Sequence, residues 1–173
     1  MVLVAAVGIS ALFAGCMAPR EIASRTVGWI PWVHSNTARP PSGPVAEKTV
    51  KAGALKLSLR LDPFPLRLSD TRRMEAKIRL ENSSPRFIRL DFPTTQRFDA
   101  LVRDGAGNVV AQWSEDQAFE ALAGFVSINP GEHVEYRAVL STRDLQPGGH
   151  YSLAVFFPSR NEVKVELPFV PEP

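Results

Sequence analysis

Cys16 is the only cysteine in the 173 residues, and it closes the run "ALFAGC" at positions 11 to 16. A lone thiol excludes an internal disulfide framework and any multi-thiolate metal centre. The three histidines, His34, His133 and His150, are scattered and lack ligand spacing. No G-x-S-x-G, H-E-x-x-H or glycine-rich phosphate loop is present, so the sequence gives no case for catalysis and names no catalytic residue, cofactor or metal. Asp104 and Asn108 flank "DGAGN", but a calcium loop needs more oxygen ligands at alternate positions and a distal Glu, and the stretch reads as a hairpin connection. "NSS" at 82–84 has the form of a glycosylation sequon.

What remains for the thiol is its neighbourhood. Met1 to Gly15 contain no charged side chain, and Val2 to Phe13 form an apolar run of signal-peptide length, too short to span a bilayer. Small Ala14 and Gly15 then lead into Cys16. This resembles the lipobox of bacterial lipoproteins, although Phe13 stands where Leu is usual and no basic residue precedes the apolar run. The resemblance implies cleavage after Gly15 and acylation of Cys16. Several acyl chains, at roughly 0.8 kcal/mol per buried methylene, make a durable anchor. Met17 is not the Asp that signals inner-membrane retention, so the expected location is the cell envelope, on the periplasmic face of the outer membrane.

Residues 16–54 read as a Pro-rich tether between a signal peptide (1–15) and a folded domain (55–173). Pro19, Pro31, Pro40, Pro41 and Pro44 interrupt it, and "NTARPPSGP" mixes breakers with small polar residues. "VGWIPWV" (27–33) stands apart: Trp29 and Trp32 suit the membrane interface, packing on the domain, or a partner. The basic charge also lies forward. Residues 1–54 carry five Lys/Arg against two Asp/Glu, while 55–173 carry fifteen against sixteen. The folded part therefore lacks the basic face that a nucleic-acid module needs.

From Leu55 the pattern becomes period two. Leu55, Leu57, Leu59 and Leu61 alternate with Lys56, Ser58 and Arg60, and Met74, Ala76, Ile78 and Leu80 with Glu75, Lys77 and Arg79. This alternation marks strands with one dry and one wet face. Further strands are expected at 88–92, 98–103, 109–113, 125–129, 134–140, 151–157 and 163–169. "NSSP" (82–85), "NPGE" (129–132) and "QPGGH" (146–150) are turn clusters. "SEDQAFEALAG" (114–124) departs from the rule: a capping Ser114, Asp116 and Gln117 in a first turn, and Phe119 and Leu122 at helical spacing predict one short helix ending at Gly124. The fold class is all-β, an antiparallel sandwich or barrel of Ig-like Greek-key type with about eight or nine strands and that one helix.

The motifs also occur in a recognisable order. Asn82, "DFPT" (91–94), "RFD" (97–99), "DGAGN", "WS" (113–114), Phe119, "PGE" (130–132) and "LQPGGHY" (145–151) follow one another. The stretch 80–119, and more loosely Leu55 to Phe157, resembles the BsuPI-type intracellular proteinase inhibitor family, with Phe98 where Tyr is common and one extra residue in "PGGHY". The resemblance implies an antiparallel β fold and a noncatalytic domain that restrains a protease. Each motif also has a plain structural reading, the Pro-Gly pairs as turns and Phe98, Trp113 and Phe119 as core. Inhibition needs a loop or sheet edge to occupy a protease cleft, and the candidate surface is Ser114, Glu115, Asp116 and Gln117 with the exposed edge. Arg72, Arg73, Arg86 and Arg89 lie near one another in sequence and could share a cationic patch. A second reading is an envelope lipoprotein whose sandwich binds another envelope protein or polysaccharide, or serves assembly, without inhibitory activity.

Overall fold

The computed structural model describes residues 45–173. Cys16, the signal-peptide segment 1–15, the Trp29/Trp32 patch and the tether up to residue 44 lie outside the described residues. Ten strands run in order: β1 (Ala46–Ala52), β2 (Leu55–Asp62), β3 (Arg73–Asn82), β4 (Ile88–Phe92), β5 (Asp99–Asp104), β6 (Val109–Gln112), β7 (Gly124–Ile128), β8 (His133–Ser141), β9 (Tyr151–Phe157) and β10 (Arg160–Phe169). They form two four-stranded antiparallel sheets, β1-β2-β3-β8 and β10-β9-β5-β6, and a two-stranded ribbon β4-β7.

The alternation read from the sequence sets the register. Leu57 faces Leu80, Leu59 faces Ile78 and Leu61 faces Ala76 across the β2–β3 ladder, and all six side chains are buried. Leu153, Val155 and Phe157 of β9, with Val163, Val165, Leu167 and Phe169 of β10, complete the same core from the other sheet. Each large buried side chain contributes roughly 1.5–3 kcal/mol before entropy is subtracted. The opposite face of the first sheet is a lattice of surface ion pairs, with Lys77 between Asp62 and Glu75 and with Arg137 reaching Glu75 at 3.5 Å.

Two expectations are corrected. β1 falls inside the stretch read as tether: it pairs along its whole length with β2, from Ala46↔Leu61 to Ala52↔Leu55, through a tight turn at Gly53 with φ 61°. The positions paired with the buried leucines of β2 are Ala46, Lys48, Val50 and Ala52, and small side chains with an exposed lysine mask the alternation. Such a lysine-bearing strand suits a sheet edge. The helix over 114–124 does not form. Only a 3-10 turn, Trp113–Asp116, is present, and the rest of the segment is extended or irregular until β7 begins at Gly124. Ser114 does not cap, because its N–H and hydroxyl both go to Asp99. Farther on, Glu120 exchanges hydrogen bonds with Thr95, its N–H to the Thr95 hydroxyl at 2.9 Å and its carbonyl from the Thr95 N–H at 3.0 Å. These tertiary partners outcompete a helix of three turns, which is marginal in isolation.

Candidate functional site: a protein-binding surface

The recurrent motif residues meet in pairs, and each meeting is structural. Asp99 is buried. Its Oδ2 accepts from Gln112 Nε2 and from the Ser114 hydroxyl, both at 2.7 Å, and its Oδ1 accepts from the N–H groups of Ala100 and Ser114. The aromatic ring beside it does the same work by packing: Phe98 stacks on Trp113 with centroids 4.4 Å apart, and Trp113 meets Phe119 at 5.8 Å. "RFD" and "WS" are thus two halves of one clamp holding the β5–β6 hairpin to the 3-10 turn.

Asn82 plays the equivalent part at the other end. Its buried carboxamide donates to the carbonyls of Arg86 and Ile128 and accepts from the N–H and hydroxyl of Ser84. Its backbone N–H bonds the Glu132 carbonyl, and its own carbonyl accepts from Gly131, so the "NSSP" and "NPGE" turns are tied together. A sequon asparagine held this way is inaccessible to a glycosyl donor. In the third motif the Tyr151 hydroxyl accepts from Gln146 N–H at 2.9 Å, and a Cβ on Gly149 would lie 2.7 Å from the Tyr151 ring, so the glycine is needed for close approach. "DGAGN" is the hairpin between β5 and β6: Asp104 accepts from Ala106 and Asn108 N–H and from the Asn108 carboxamide. Those bonds, led by the Asn108 side chain, lower the Asp104 carboxyl below its ordinary value. No group of three or more metal-ligating side chains occurs among the described residues, and no described helix is long and apolar enough to cross a membrane.

The candidate surface divides. Ser114 is withdrawn from it by Asp99, whereas Glu115, Asp116 and Gln117 are exposed. Asp116 and Gln117 form one wall of a cleft of about 610 Å3; Val139, Leu140 and Ser141 on β8 and the guanidinium-bearing Arg72, Arg73 and Arg143 line the rest. The four arginines noted in the sequence are not one patch. Arg72 and Arg73 stand at the start of β3 and Arg86 beyond its end, with a ten-residue strand between them, which spans roughly 30 Å. Arg89 instead bonds Asp91 at 2.8 Å and lies 4.1 Å over the ring of exposed Phe125 on the β4–β7 ribbon. Arg143 is the member that sequence spacing could not supply. The β3–β8 register brings Thr142, and with it Arg143, opposite Arg72.

The model of the family BsuPI, intracellular proteinase inhibitor, matches residues 67–162. The chain belongs to this family. The BsuPI match takes in every strand from β3 to β9, hence part of each sheet and the whole ribbon, while β1 and β2 precede it and most of β10 follows it. No curated protein matches the chain. Among solved structures, the yjhA protein from Bacillus subtilis is similar at 20% identity and TM-score 0.34, over 72% of this chain and 96% of that one. A β-glucosidase EmGH1 from Erythrobacter marinus is similar at 13% identity and TM-score 0.36, over 73% of this chain. β-Glucosidase 3B from Thermotoga neapolitana, solved with α-D-glucose, is similar at 20% identity and TM-score 0.33, again over 73%. The chain spans only 15% and 17% of the lengths of these two glucosidases. Likenesses this loose carry no argument about function.

Proposed function

We propose that the domain is a noncatalytic protein-binding module that restrains a serine protease. The observation that carries this reading is the BsuPI match over residues 67–162. The polar groups of the domain support it. The buried Asp99 and Asn82 have their hydrogen-bonding capacity filled by neighbouring turns, which commits them to holding the frame of the domain. The module acts from the cell envelope, tethered by lipid on Cys16. The lone thiol directly after a small-residue run supports the anchor. A target of such a chain is a protease of that compartment rather than a cytoplasmic one.

A panel of envelope and cytoplasmic serine proteases, each assayed with the purified full chain, tests inhibition. Loss of peptidase activity at micromolar chain, abolished when the chain is thermally unfolded, is expected. Unchanged activity throughout favours an envelope lipoprotein whose sandwich binds or assembles without inhibiting, a reading that draws on the same placement of Cys16. Metabolic labelling with a palmitate analogue tests the anchor: label on the wild type and none on Cys16→Ser is expected, and equal label on both contradicts it.

A further inference from the structure

β8 is an edge strand, paired with β3 alone among the described residues. Which of its backbone groups are free follows from the register. Thr142 N–H donates to Arg72 O at 3.2 Å and Asn82 N–H donates to Glu132 O at 2.9 Å, and both pairs lie in register with Met74↔Leu140 and Leu80↔Val134. Even-numbered residues of β8 therefore bond to β3. In an antiparallel ladder the intervening residues send N–H and C=O to the opposite side. Glu135, Arg137 and Val139 thus present an unpaired row, and the side chains of all three are exposed, Val139 to 50%.

At its C-terminal end this row opens into the cleft bounded by Asp116 and Gln117. The cleft is strongly cationic. Arg72, Arg73 and Arg143 are all exposed, none has a carboxylate within ion-pair distance among the described residues, and Asp116 is the one acidic residue lining the cleft. An unpaired strand edge recognises an extended peptide, and unpaired guanidinium groups recognise carboxylates. We infer that β8 accepts an extended acidic segment of a partner protein as a fifth strand of its sheet, with the segment's carboxylates meeting Arg72, Arg73 and Arg143. This inference rests on the protein-binding reading above and names the partner's chemistry for the same surface.

The test uses the full chain and a fluorescein-labelled peptide of alternating glutamate and threonine, read by anisotropy. Saturable binding is expected, weakened by added salt and by about tenfold or more in the Arg72→Glu/Arg73→Glu/Arg143→Glu variant, with Arg89→Glu unaffected. A peptide N-methylated at every amide, which has no N–H left to donate along either edge, is expected to bind at least about tenfold more weakly. Val139→Pro, which removes an edge N–H without touching the β3 ladder, gives the same loss at an unchanged melting temperature. Equal binding of the matching lysine–threonine peptide, of the N-methylated peptide, or by the triple variant overturns the inference. If the acidic peptide binds as described and no protease is inhibited, the edge site stands and the inhibitory reading falls. If a protease is inhibited equally by the wild type and the triple variant while the peptide fails to bind, the reverse holds.

Discussion

Removing the Asn82 carboxamide strips four hydrogen bonds from two turns at once and leaves the buried Ile128 carbonyl without its donor. Asn82→Ala is expected to lower unfolding free energy by ~2–4 kcal/mol, measured by urea titration. Asn82→Asp, nearly isosteric, is expected to be at least as damaging, because a carboxylate oxygen then faces the carbonyls of Arg86 and Ile128. Tyr136 is the opposite case. Its hydroxyl is buried with no partner, and burial, the main cause, raises its pKa against a smaller opposing pull from Arg97. Tyr136→Phe is expected to be neutral or to stabilise by about 1 kcal/mol. The sign of the pH effect follows from the raised pKa. Stability tied to the neutral phenol is complete below the ordinary tyrosine value of 10.0 and is lost as pH rises from there through the folded-state value. Melting temperatures recorded on an alkaline series should fall for the wild type, and less steeply for Tyr136→Phe.

The elements differ in how openly they announce themselves. A chain beginning at residue 45 and one beginning at 55 differ by β1, which shields the β2 edge and packs beside β10. The shorter chain is expected to be less stable by ~2–4 kcal/mol and to aggregate on concentration, seen by urea titration and light scattering. β2 and β3 are legible because leucine and isoleucine recur at every second position. β1 is not, because Lys48 and two alanines occupy the positions of a marginal edge that pair with the β2 leucines. The segment 114–124 misleads for the complementary reason: its spacing of Phe119 and Leu122 is helical, but Asp99 and Thr95, distant in sequence, claim the backbone and side-chain groups a helix needs. The candidate site was legible in part. Asp116 and Gln117 line a cleft, whereas the half-buried Ser114 gives its hydroxyl to Asp99 and Arg143 enters only through strand register.

At the scale of the whole molecule, the front of the chain carries the net positive charge and the only thiol, while the residues from 55 onward balance fifteen basic against sixteen acidic side chains. That division leaves the residues from 55 onward close to neutral. Under the proposed function, specificity then falls to local features, the β8 edge and the three arginines beside it, rather than to long-range steering. Asn82, Asp99, Ser114 and Tyr151 fix turns and clamps in this chain, so partner choice falls to residues outside these ties. Under the proposed function, this frame occupies a protease without chemistry of its own. The most direct measurement is residual peptidase activity as an envelope serine protease is titrated with the folded full chain, with intact mass recorded for both proteins. The expected result is activity falling to a plateau at equimolar chain, with neither mass changed. Unchanged activity at micromolar chain across the protease panel, or a chain cleaved as an ordinary substrate, would contradict it.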